Sequence, residues 1–177
     1  MDLRQWLVDE FDDAVGRLKA HVLFLVPEEQ RAERPGGGNS VLSTCYHTAR
    51  HIDLALSVLT ESEMLLPVPA RRESAGLDEG EASLELDPAE VDRYLARVLV
   101  AARRYIGAFD VADAERVPDS EWTLVAAGLP ADDYDWLYRS WSNKPVAFFV
   151  RWEIVGHLGA HVGEMIATVH RMGLSQY

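Results

Sequence analysis

The chain has one cysteine, Cys45. A single thiol cannot close an intramolecular disulfide, and it excludes a metal cluster held by several thiolates. Lysine is nearly as scarce: only two of the seventeen basic residues are lysines, Lys19 and Lys144. Positive charge is also the minority sign, leaving a formal net charge of −12. An acidic surface is repelled by nucleic-acid phosphates and by anionic lipid, so no nucleic acid and no membrane is expected as a partner. The basic residues are dispersed apart from Arg71-Arg72 and Arg103-Arg104. No apolar run is long enough to span a bilayer. The opening residues Met1-Asp2-Leu3-Arg4-Gln5 enter an amphipathic pattern with no basic start and apolar stretch before it. Together these absences predict a protein of the reducing cytoplasm. Period-two alternation is missing over any useful length, so strands are not expected. There is no G-x-S-x-G elbow, and Gly36-Gly37-Gly38 follows no strand and lacks a lysine, so it reads as a linker.

What the sequence does contain is helical periodicity. At 177 residues the favoured organisation is one domain, 1–177. Residues 2–26 place Leu3, Trp6, Leu7, Phe11, Val15, Leu18, Val22 and Leu25 at three- and four-residue spacing, and Pro27 stops the run. Ser40 is suited to cap a second helix reaching about residue 59. Asp87-Pro88-Ala89-Glu90 combines an N-cap acid, proline at the first helical position and the glutamate of a capping box, and starts a third helix that lasts to about residue 109. A fourth runs over about 145–172, with Gly173 placed to end it. Two connections are long. The first, about residues 60–86, holds Pro67, Pro69, Gly76 and Gly80; the second, about 110–144, is rich in aromatics from Trp122 to Trp141 and has room for a short helix over 132–141. Those aromatics are expected to serve core and lid packing.

The fourth helix reads Arg151-Trp-Glu-Ile-Val-Gly-His157-Leu-Gly-Ala-His161-Val-Gly-Glu164. Histidines at i and i+4 lie one above the other on a helix face, with Cβ atoms about 5–6 Å apart, which lets both imidazoles reach one ion. Gly156, Gly159 and Gly163 share this stretch although each costs about 1 kcal/mol against alanine inside a helix. Such a helix is expected to need close backbone approach or room for a ligand. A third ligand must come from another element.

The second helix contains Ser43-Thr-Cys-Tyr-His47-Thr-Ala-Arg-His51-Ile-Asp53. With this stretch and the H-x-x-x-H run ending Met172-Gly173-Leu174, the sequence resembles the DinB/YfiT-like superfamily of helical metalloproteins. That superfamily includes thiol-dependent transferases and mycothiol-dependent maleylpyruvate isomerases. The resemblance spans nearly the whole chain in length and helix order and is specific at these two stretches. It departs in having His161-Val-Gly-Glu164 where the family often has His-Arg-Gly-Gln, and His157 where the isomerase branch commonly has glutamate.

The resemblance implies an all-α four-helix bundle in up-down-down-up order, with the long connections after helices two and three. It implies a metal held by His47, His157 and His161 between helices two and four, and a homodimer. Three histidines with no fourth protein ligand leave a catalytic metal site open to water or substrate. Zinc or nickel leads the candidates for the divalent ion, with iron also suited to imidazole. Glu153 and Glu164 are the candidate catalytic carboxylates, able to orient a ligand imidazole or act as a base. His51, one helical turn beyond His47, is a candidate ligand or a support behind the ligands, against a plainer reading as a surface residue beside Asp53. Cys45, two residues before His47, should point away from the metal into the core, and His21 and His170 should have no role. Three functions stay open: a transferase using a low-molecular-weight thiol against an electrophilic small molecule, a metal-dependent hydrolase, and a non-catalytic metal-binding stress protein.

Overall fold

The computed structural model describes residues 2–67, 77 and 86–174. Pro69, Gly76, Gly80 and the Arg71-Arg72 pair, which mark the first long connection, lie outside the described residues. Among the described residues every regular element is helical, and none is long and apolar enough to cross a membrane.

Helix α1 spans Leu3–Leu18, capped by the Asp2 carboxylate, which accepts the Gln5 N–H. Its buried face is the periodic stripe Leu7, Phe11, Ala14 and Leu18. The helix continues as a π-helical turn, Lys19–Leu23, before the chain bends away. Helix α2, Val41–Thr60, starts at Ser40 with a reciprocal capping box to Ser43. Serine here fills the third position usually held by Glu or Gln. Nearly all of α2 is buried, polar Thr44, Thr48, Arg50, His51, Asp53 and Ser57 included. A helix covered all round belongs to the interior, and these polar side chains must therefore find partners inside the protein.

Helix α3, Pro88–Ala108, begins where the Asp87-Pro88 signal places it, with the Asp87 carboxylate accepting the Ala89 N–H. Glu90 stands 3.9 Å from Arg93, one turn further along. The second long connection holds two short helices. Helix α4, Ser120–Ala126, is capped by Asp119, and α5, Ala131–Trp141, matches the expected short segment. The final rod is not one uniform helix. It opens as α6, Val146–Phe148, runs through π-helical Phe149–Gly156, and becomes α7, His157–Arg171. Gly173, at φ +73°, takes the left-handed conformation that ends it.

Helices α1 and α2 each pack on both α3 and α7, so these two consecutive helices sit across the diagonal of the bundle. A continuous core joins all four, from Phe11 and Leu18 through Ile52 and Val98 to Leu158 and Val162. The buried polar side chains of α2 anchor the chain that follows it. Asp53 accepts the N–H groups of Leu65 and Leu66 at 2.9 and 3.1 Å and the Tyr94 hydroxyl at 2.8 Å. Arg50 donates to the carbonyls of Leu66 and Pro67. These two residues hold the start of the first long connection against the helix that carries His47 and His51.

Candidate metal centre

Helix α2 presents His47 and α7 presents His157 and His161. Their potential ligand atoms all lie within 4.8 Å of one another. The ring centroids are 5.2 Å apart for His47 and His157, 4.8 Å for His47 and His161, and 4.4 Å for His157 and His161. The neighbouring positions of α2 and α7 bring a residue of the second helix against a pair more than a hundred residues later.

The chemistry of each ring follows from its partners. Nδ1 of the buried His161 lies 2.9 Å from a Glu164 carboxylate oxygen, which can only accept. Nδ1 therefore carries the proton, and Nε2 is left with a free electron pair for an ion. The other Glu164 oxygen accepts from Asn39 at 3.1 Å, just before the α2 cap. Asn39 and Glu164 thus fix both the tautomer and the tilt of His161. His157 has its proton affinity driven far below the ordinary histidine range, by burial first and then by the neighbouring His51, His161 and His47. It is neutral at physiological pH, the form that ligates metals. Its Nε2 is buried with no hydrogen-bond partner. An unpartnered buried nitrogen among other imidazoles is costly, and a divalent cation would supply what it lacks. The residues present fit a metal.

Two further side chains meet this cluster. His51, one turn after His47, is 4 % exposed and stacks on His157 with centroids 4.5 Å apart. The reading of His51 as a surface residue beside Asp53 does not hold: both are buried, and Asp53 binds Leu65, Leu66 and Tyr94 instead. Nε2 of His51 lies 2.9 Å from the Leu77 carbonyl, and its Nδ1 lies 3.9 Å from Glu153. Glu153 itself is 6 % exposed.

The π-helical segment places Glu153 where it is. Its widened turn brings the Arg151 carbonyl against Gly156, where an added Cβ would stand 3.0 Å from that oxygen. Gly156 meets the need for close backbone approach. Gly159 and Gly163 have nothing within 4 Å of an added Cβ, so crowding does not explain them.

A cavity of about 590 Å³ opens beside the histidines. His47, His51 and His157 form its floor, Trp136, Trp141, Phe148 and Trp152 its wall, and Glu153 and Lys144 its charged lining. The aromatic connection therefore divides. Trp136 and Trp141 face the cavity, with Trp141 also sealed into the core, while Trp122 is exposed. Cys45 is buried with its Sγ 3.5 Å from the Met165 sulfur, and burial pushes its thiol up to about 12. His21 and His170 line a different cavity, of about 910 Å³, with Phe24 and Ile166. Sequence reasoning did not reach Asn39, Leu77, Phe148 or Trp152, since each is brought to the site by packing and carries no motif.

Fold and site together define a helical bundle with a histidine-rich candidate metal centre. No protein-family model matches the chain, and no curated protein matches it. Among solved structures it is similar to a conserved protein from Enterococcus faecalis known by its crystal structure, with a TM-score of 0.64 and 18% identity over 98% of this chain and 99% of that one. At that identity the likeness speaks for the fold alone.

Proposed function

We propose that the protein is a metal-dependent enzyme of the DinB/YfiT-like type, transferring a low-molecular-weight thiol to an electrophilic small molecule. The observation that supports this reading is the opening of His47 and His157 onto an aromatic-walled cavity of about 590 Å³. That size suits a small organic ligand, and three imidazoles leave a tetrahedral ion one position for a non-protein group. A dication in this set would hold a thiol as thiolate, its nucleophilic form. The chain's own residues account for the rest. Trp136, Trp141 and Phe148 exclude water and pack the organic part of the reactants, and the exposed Trp152 presents a further aromatic face. Lys144 offers positive charge to an anionic thiol, and the buried Glu153 is placed to take the thiol proton. The sulfur pair then forms the new bond to the electrophilic carbon, whose leaving group departs with its own bonding pair. Cys45 cannot replace an external thiol, because it is buried and held protonated.

A hydrolase is the second reading, favoured by a buried carboxylate, Glu153, on the same cavity. Zinc- and nickel-loaded protein assayed with a chromogenic electrophile, with and without added thiol, separates the two. Thiol-dependent turnover that vanishes on metal removal and in His47→Ala is the expected result. Turnover without thiol would establish the hydrolase, and metal-loaded protein inert in both assays would leave a non-catalytic metal-binding protein. The same reading carries a homodimer, checked by light scattering against the 19.8 kDa chain mass.

A further inference from the structure

His51 is held in a tautomer that leaves it facing Glu153 with an unused electron pair. The Leu77 carbonyl, 2.9 Å from Nε2, can only accept, so Nε2 carries the ring proton. Nδ1 of the neutral ring is then a lone pair, and it is buried with no hydrogen-bond partner. What it faces is another electron-pair donor, the Glu153 carboxylate at 3.9 Å, beyond hydrogen-bond reach. The third group at this point is His157, whose Nε2 is likewise buried and unpartnered. Ligand atoms of the three residues all lie within 4.8 Å of one another. Lys144, the cation on the same cavity, stands with its ammonium 5.5 Å from the Phe148 ring centroid.

Two lone pairs and a carboxylate converging in a buried space need a positive charge between them. Two nitrogens and one carboxylate oxygen form a set that zinc accepts, whereas magnesium and calcium seek oxygen throughout. Ligands about 2.1 Å from one tetrahedral zinc stand roughly 3.4 Å apart, so His51 and Glu153 need to close only slightly. We propose that His51, Glu153 and His157 form a second, alternative position for a divalent transition-metal cation such as zinc; the single Nε2 lone pair of His157 serves either it or the three-histidine position, one ion at a time. Each position has residues the other lacks: His47 and His161 for the first, His51 and Glu153 for the second.

The two are separated by equilibrium dialysis of the metal-free full chain against zinc. The proteins needed are wild type, His161→Ala, Glu153→Gln and the His161→Ala/Glu153→Gln pair, with circular dichroism as the folding check. Glutamine keeps the shape of Glu153 and removes its charge. The expected result is that His161→Ala retains one equivalent at least tenfold more weakly than wild type, and that adding Glu153→Gln weakens it at least tenfold further. The proposal is overturned if His161→Ala binds no zinc, or binds it equally with and without Glu153→Gln. It is overturned too if Glu153→Gln alone weakens wild type as much as His161→Ala does, since all five residues would then share one ion. If His161→Ala matches wild type while Glu153→Gln loses the metal, the second position stands and the three-histidine reading falls.

Discussion

Glu164 accepts a hydrogen bond from Nδ1–H of His161, three residues before it on the same helix, and so decides which imidazole nitrogen is left for a ligand. Second partners of this kind typically change metal affinity about 10–100-fold when removed. Glu164→Ala should weaken zinc binding by that order, read by competition with a chromophoric chelator. Glu164→Gln, which keeps an accepting oxygen, should lose less. Asn39→Ala, one step further back, should lose less again.

The histidines should not be equivalent. His157→Ala should strip zinc most completely, because His157 belongs to both candidate sets. His47→Ala and His161→Ala should each remove most of the affinity while the bundle stays folded, since apolar faces hold such helices together. His21→Ala and His170→Ala should leave binding unchanged. Dialysis with metal analysis measures all five, and near-wild-type affinity in His157→Ala would end the metal-centre reading.

Alanine should act with opposite sign at two glycines of the final rod. At Gly156 a new Cβ meets the Arg151 carbonyl at 3.0 Å. Overpacking of this kind costs typically about 1–3 kcal/mol, more than the roughly 1 kcal/mol alanine gains from helix propensity. Gly163 is exposed with nothing within 4 Å, so Gly163→Ala should stabilise by up to about 1 kcal/mol. Urea denaturation of the metal-free protein gives both values.

Cys45 should be silent until the protein unfolds. Its thiol rises from 9.0 to about 12 on folding, chiefly through burial. Below pH 9 the group adds no pH dependence. Above it the unfolded chain ionises first, so this thiol lowers stability as pH rises. A thiol reagent should react at the rate of unfolding, and the loss of stability between pH 8 and pH 10 should shrink in Cys45→Ala. Rapid labelling of the native protein would contradict this.

The long helices were legible because their apolar residues recur at helical spacing and two of their starts carry caps: Ser40 and Asp87 each cap where the sequence placed them. The His157/His161 pair was legible because i, i+4 spacing fixes a shared face. The π-helical segments were not, since one extra residue in a turn leaves hydrophobic spacing almost unchanged. Helix α4 escaped because seven residues give too little periodicity to read, although Asp119 was a usable start signal. The burial of His51 and Glu153 was hidden for a different reason. It depends on Leu77 and α5 closing over them, and a polar residue bears no mark of what will cover it.

The widened turn before His157 makes the site depend on chain length as well as on residue identity. An α-helix advances about 100° per residue. Loss of a single codon within Phe149–Gly156 would let the segment relax toward an ordinary α-helix and swing Phe148 and α6 by about that angle relative to His157 and His161. All three histidines would still be encoded, but the part of the wall that Phe148 provides would have turned away. A relative that keeps the histidine pair and is one residue shorter here would therefore present a different surface to the histidines, and a search on the histidines alone would not tell them apart.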